Sequence, residues 1–203
     1  MPSLTFPEPA LFVANQGEPS LRCGILGPGI IATAFVKAMR GHTRQQPFAV
    51  ASRSRARAEA FAQAWSIPRA YHSYQALVDD PQVDIVYIAS PHSHHRDHAI
   101  LALEAGKHVL IEKAVTLDAD EAIAIRDIAA GRGLLAMEAM WTRYLPHMVR
   151  IREIIADGAL GEVRAVIADH TQSLPTDPEH RLNALELGGG ALLDLGIYPL
   201  SIA

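Results

Sequence analysis

Leu21-Arg22-Cys23-Gly24-Ile25-Leu26-Gly27-Pro28-Gly29-Ile30-Ile31-Ala32 is an apolar run that breaks at a Gly-Pro-Gly turn and resumes with helical spacing. A short apolar run closed by glycine reads as a buried strand, and the alanine-rich stretch after it as a helix. Gly27, Gly29 and Ala32 stand at G-x-G-x-x-A spacing across that junction. The first glycine permits a tight turn, and the second lets a phosphate approach the backbone. Ile30 and Ile31 then open a helix whose first N–H groups have no partner within it and whose dipole is positive at that end.

The same alternation repeats outward from this stretch. Strand-like runs at 48–52, 83–89, 108–111 and 134–137 are separated by helical stretches at 55–65, 73–78, 95–105 and 118–130, after a first helix at 30–40. Gly41, Gly106 and Gly131 are the expected helix stops. Strands alternating with helices predict an α/β fold, a doubly wound parallel sheet of the Rossmann type. Beyond Trp141 the rhythm changes. Pro146 opens a helix that Gly158 ends, an alternating strand is expected at 162–170, and a helix is expected to start near Ala191 after the Gly188-Gly189-Gly190 turn. The organisation read from this is an extended arm at 1–20 with Pro2, Pro7, Pro9 and Pro19, a nucleotide-binding domain at 21–141, and the start of an incomplete α+β substrate domain at 142–203. A lone strand at 162–170 would leave both of its edges unpaired.

Charge and cysteine usage narrow the partners. Lys and Arg number 18 against 22 Asp and Glu, and the basic residues are dispersed, so no electrostatic footprint for nucleic acid or an anionic membrane is present. The sequence has neither a leader-like beginning nor an apolar stretch of membrane-spanning length. A single cysteine, Cys23, inside the first apolar run is expected to be buried and inert, which fits a cytoplasmic protein.

The glycine turn in this setting predicts a dinucleotide. An NAD site would place Asp or Glu about 20 residues on, against the ribose 2′-hydroxyl. Here the second strand ends in Ser52-Arg53-Ser54-Arg55. With no carboxylate to repel a 2′-phosphate, Arg53 as clamp and Ser52 or Ser54 as donor favour NADP over NAD. The competing reading leaves Arg53 and Arg55 as solvated residues at a helix start.

Four further segments carry a family resemblance: Ser90-Pro91-His92-Ser93-His94-His95, Ile111-Glu112-Lys113, Met137-Glu138-Ala139-Met140-Trp141-Thr142-Arg143, and Gly188-Gly189-Gly190 followed by Asp194 and Tyr198. With the glycine turn they resemble the Gfo/Idh/MocA oxidoreductase family, in its branch of dimeric dihydrodiol dehydrogenases and NADP-dependent xylose dehydrogenases. The resemblance implies a two-domain fold, hydride exchange with nicotinamide, a sugar, cyclitol or diol substrate, and a homo-oligomer held by an open sheet that would lie beyond Ala203. It implies that Ser90, Pro91, His92 and His95 lie beside the nicotinamide, with His92 where Asn is usual. Glu112 and Lys113 match a Glu-Lys-Pro motif in which Ala114 replaces proline.

Read on chemistry, Lys113 follows a strand at the carboxyl end of the sheet, where an ammonium can hydrogen-bond a substrate oxygen and stabilise charge developing on it. Asp194 and Tyr198, four residues apart, share a helix face. The resemblance makes Tyr198 the candidate for proton transfer, with Asp194 orienting substrate hydroxyls. His92, His94, His95 and His98 invite a metal reading, but ligand partners at the usual spacings are lacking, and no metal is expected. The favoured expectation is an NADP-dependent dehydrogenase. The rival is a catalytically silent nucleotide-binding fragment.

Overall fold

A computed structural model describes residue 8 and residues 17–203. Most of the expected arm at 1–20 therefore lies outside the described residues, and its last four residues, 17–20, are exposed.

Six strands form one parallel sheet: β1 (Arg22–Leu26), β2 (Gln46–Ala51), β3 (Arg69–Tyr71), β4 (Ile85–Ile88), β5 (His108–Ile111) and β6 (Ala136–Glu138). Their order is β3-β2-β1-β4-β5-β6. The helices between them are α1 (Ile30–His42), α2 (Arg55–Ala64), α3 (Tyr74–Val78), α4 (His95–Glu104) and α5 (Ala119–Arg132). Alternate strand residues feed two separate cores, as the period of two requires. Cys23, Ile25, Val50 and Tyr87 pack against Ala32, Val36 and Met39 of α1 on one face. Leu26, Val86, Ile88, Val109 and Ile111 pack against α3, α4 and α5 on the other. The strand order reverses between β1 and β4, so the loops leaving these two strands flank the crevice where open α/β sheets hold ligands.

The elements differ from expectation in four places. β3 was not anticipated: it is three residues long and lacks an apolar run. It exists because it pairs with β2 and because Arg69 and Tyr71 both hydrogen-bond the Asp80 carboxylate, at 2.5 and 2.8 Å. Gly41 lies inside α1, which runs on to His42 and is closed by Thr43, whose N–H and hydroxyl both donate to the Met39 carbonyl. Gly131 likewise lies inside α5, and the left-handed stop is Gly133 at φ +67°.

The largest correction concerns the strand expected at 162–170. Those residues form no strand and are exposed throughout. Among the described residues every strand belongs to the one sheet, and this segment finds no neighbour with which to exchange backbone hydrogen bonds. The regular elements after Trp141 are helical, α6 (Pro146–Ala156), a 3₁₀ turn at Leu185–Leu187, a π-helical turn at Leu192–Gly196 and α7 (Ile197–Ile202), with loop and turn between α6 and the 3₁₀ turn. Among the described residues no helix is long and apolar enough to cross a membrane.

Candidate active site

The site grows from the two loops at the switch point. Gly27 has φ +95°, and a Cβ there would come within 3.0 Å of the Ala89 carbonyl oxygen, so the β1 and β4 loops touch only because the residue is glycine. A Cβ on Gly29 would meet nothing within 4 Å, which leaves open space in front of α1. No side chain caps α1, its first turn holds no acidic residue, and Ile30 is 93% exposed with Ile31 at 47%. Uncapped amides over open space at a helix start fit a dinucleotide pyrophosphate.

At the end of β2, Ser52 is buried and its Oγ accepts from the Ser54 N–H, while Arg53 is exposed. Ser54 caps α2 by accepting from the Arg57 N–H. The Arg57 guanidinium reaches back to donate to the Pro28 carbonyl at 3.3 Å, which sets a cation against the glycine turn.

Beyond β4, His92 and His95 are spent on backbone carbonyls and His98 on a serine hydroxyl. His95 is fully buried, with Nδ1 2.8 Å from the Ala114 carbonyl and Nε2 2.8 Å from the Ser90 carbonyl. Burial pushes its imidazole below the usual range, although both carbonyls favour the charged ring. His92, also buried, has Nδ1 2.9 Å from the Gly188 carbonyl and Nε2 3.1 Å from the Lys113 carbonyl. His98 Nδ1 lies 2.9 Å from Ser90 Oγ, and burial, with His94 and His95 nearby, drives it down to about 4. Pro91 opens the 3₁₀ turn that carries His92. Among the described residues no group of three His, Cys, Asp or Glu side chains is placed to hold a metal.

At the end of β5, Glu112 accepts a hydrogen bond from the Tyr87 hydroxyl. Burial raises the Glu112 carboxyl, against the pull of that hydroxyl and of Lys113. Tyr87 in turn stacks on Phe35 of α1 at 3.8 Å, so Glu112 is oriented toward the α1 side of the sheet. Cys23, on the same side, is buried with its thiol pushed up to about 12, and is inert.

Lys113, Asp194 and Tyr198 come together. The Lys113 ammonium donates to the Asp194 carbonyl at 2.5 Å and to its carboxylate at 3.0 Å, and lies 4.8 Å from the centre of the Tyr198 ring. Both members of the ion pair are nearly buried, at 13% and 12% side-chain exposure. Trp141, which the sequence offers only within the Met137 to Arg143 segment, donates its indole N–H to the Tyr198 hydroxyl at 3.2 Å. The His170 ring, 4.8 Å from that of Tyr198, is a neighbour that nothing in the sequence pattern announced.

The family model described as "Oxidoreductase family, NAD-binding Rossmann fold" matches residues 21–140. The chain belongs to the Gfo/Idh/MocA family. A second model, the GFO/IDH/MocA C-terminal domain, matches residues 148–203. Among relatives of this family member, D-xylose 1-dehydrogenase (NADP(+)) of Hypocrea jecorina is 45% identical over 92% of this chain and 53% of its own length. Trans-1,2-dihydrobenzene-1,2-diol dehydrogenase of Bos taurus is 40% identical over 89% of this chain and 54% of its own. Among solved structures, an aldose-aldose oxidoreductase from Caulobacter crescentus complexed with glycerol superposes with a TM-score of 0.84 at 30% identity, covering 91% of this chain and 56% of that one. The chain thus spans about half the length of the curated relatives it matches.

Proposed function

We propose that the chain carries the nucleotide site and the proton-transfer pair of an NADP-dependent dehydrogenase acting on a secondary hydroxyl or carbonyl of a sugar, cyclitol or dihydrodiol, with a nucleotide-binding domain at 21–141 and a substrate unit beginning at 142. The observation that carries this reading is the Lys113 ammonium fixed by Asp194 against the Tyr198 ring. When bound, the nicotinamide supplies the hydride acceptor, or the donor in reverse. In oxidation, Tyr198, ionised to its phenolate, takes the hydroxyl proton and becomes the neutral phenol, while the Lys113 ammonium hydrogen-bonds the same substrate oxygen and stabilises its charge. Asp194 holds the lysine in place, and the Trp141 indole donor fixes the Tyr198 hydroxyl. Gly27, Gly29, Ile30 and Ile31 cradle the pyrophosphate. Arg53 and Arg57, beside Ser52, pair with the 2′-phosphate, in keeping with a relative whose name carries NADP(+). Charge balance and the one buried thiol suit the cytoplasm.

The test is to incubate the chain with NADP and a panel of D-xylose, a cyclitol and a trans-dihydrodiol and to follow reduced nicotinamide. Turnover of any one that is abolished by Tyr198→Phe supports the reading. Saturable NADP binding with no turnover of any of them favours the second reading, a silent nucleotide-binding module, for which the exposure of residues 161–173 speaks.

A further inference from the structure

We infer that His92 is a positioning residue that ties the 188–198 segment to the backbone of Lys113. The inference rests on Lys113 and Tyr198 being the proton-transfer pair. The His92 ring is buried between two loops, and both nitrogens face backbone carbonyls: Gly188 at 2.9 Å and Lys113 at 3.1 Å. A neutral ring donates to one of these and a charged ring to both, and in either state its polar edge is occupied by protein.

The connection closes a circuit. At its side-chain end Lys113 is held by Asp194, and at its backbone end it meets His92, which meets Gly188, six residues before Asp194. One segment therefore grips the lysine twice. Gly188 makes the grip possible. It has φ +73°, and a Cβ there would stand 2.8 Å from His92 Cβ and 2.6 Å from Leu117 Cδ2, so any larger residue would push the turn off the ring. The loop after Lys113 has Ala114 rather than the proline the family resemblance implies, and its carbonyls and N–H groups are pinned instead. His95 meets the Ala114 carbonyl at 2.8 Å, and the Val115 N–H donates to Glu138 at 2.9 Å. Those two ties bind the lysine loop to α4 and β6. Of these three histidine and backbone ties, the His92 one reaches the segment that carries Asp194 and Tyr198.

The test compares His92→Leu, which removes both polar contacts, with His92→Gln, whose amide still reaches the Lys113 carbonyl, and with Gly188→Ala, which attacks the tie without touching the ring. NADPH affinity, amide hydrogen exchange over residues 188–198, and kcat and KM are measured for each. In His92→Leu and Gly188→Ala the tie predicts exchange at 188–198 about tenfold faster or more and kcat about tenfold lower, with NADPH affinity within about threefold of the parent. His92→Gln, which keeps the Lys113 contact and loses the one to Gly188, should show exchange at 188–198 and kcat between those of His92→Leu and the parent. A His92→Leu protein that loses NADPH affinity about tenfold while exchange at 188–198 is unchanged would make His92 a cofactor contact and overturn the inference. So would Gly188→Ala with parental exchange. Should the parent itself fail to bind NADPH or turn over substrate, the proposed function falls, and the exchange arms still decide whether the tie exists.

Discussion

Residues 22–138 and 146–203 draw on the same kinds of residue and end up in opposite conditions. In the first, β1 and β4 bury Ile25, Leu26, Tyr87 and Ile88 completely between two helical layers. In the second, α6 buries no residue, Val163 and Val166 stand nearly half exposed, and Ile167 is 98% exposed. The second region buries only Leu182, Ala184 and Leu195 among its described apolar side chains and is attached chiefly by polar contacts: Lys113 to Asp194, His92 to Gly188 and Trp141 to Tyr198. An apolar stripe is stabilising only where another element covers it, and the sheet that would cover residues 162–170 is not among the described strands. Stability therefore belongs to the first region, and the chemistry depends on how firmly the second is held to it.

The harshest way to break that division is at the contact itself. Lys113→Met should lower turnover on the order of 10²–10⁴-fold, as removal of a group that stabilises the transition state does, while leaving NADPH affinity near the parent value. Steady-state kinetics beside a binding titration checks both halves. Next comes a matched pair on the two regions. Ile88→Ala, fully buried, should cost about 2–5 kcal/mol in chemical denaturation, and Ile167→Ala less than about 0.5 kcal/mol. Equal costs would show that residues 162–170 are packed after all.

Acid sharpens the same contrast, because the depressed groups lie in the first region. His98 has its imidazole at about 4 in the fold, below its ordinary value of about 6.5, so the unfolded chain takes up its proton first as pH falls. Its contribution to stability is complete above about pH 6.5 and is lost progressively down to about pH 4, by on the order of 1–3 kcal/mol. Denaturation of His98→Leu across this range should show a flatter pH profile than the parent. Burial alone would raise the Asp80 carboxyl, but the Gln82 N–H, Arg69 and Tyr71 together hold it below the usual range, so a second loss begins only as pH drops past the ordinary carboxylate value. The smallest effect belongs to the nucleotide end. Arg53→Ala and Arg57→Ala should each weaken NADPH about tenfold, the worth of one charge-assisted contact, and leave NADH almost unchanged in parallel titrations.

The legibility of the sequence follows the same line. β1, β4 and β5 could be read from apolar runs because strands buried on both faces need them. β3 could not, since Arg69–Tyr71 becomes a strand through β2 and Asp80. The alternation at 162–170 shows which side chains a strand would bury but carries no information on whether a partner strand exists. In the site, spacing puts Asp194 and Tyr198 on one face, and the family resemblance points to Lys113. Their meeting across 81 residues, and the His92 contact across 96, arise from tertiary closure that local spacing does not encode. Arg57 and Trp141 were in plain view, but their partners, the Pro28 carbonyl and the Tyr198 hydroxyl, became visible only in the fold.

The most direct test of the account is a fluorescence titration of the 203-residue chain with NADPH and, in parallel, NADH. The account predicts saturable binding of both with a preference for NADPH of about tenfold or more, the difference supplied by Arg53 and Arg57. Equal affinity for the two nucleotides, or no binding by protein that circular dichroism shows to be folded, would contradict it.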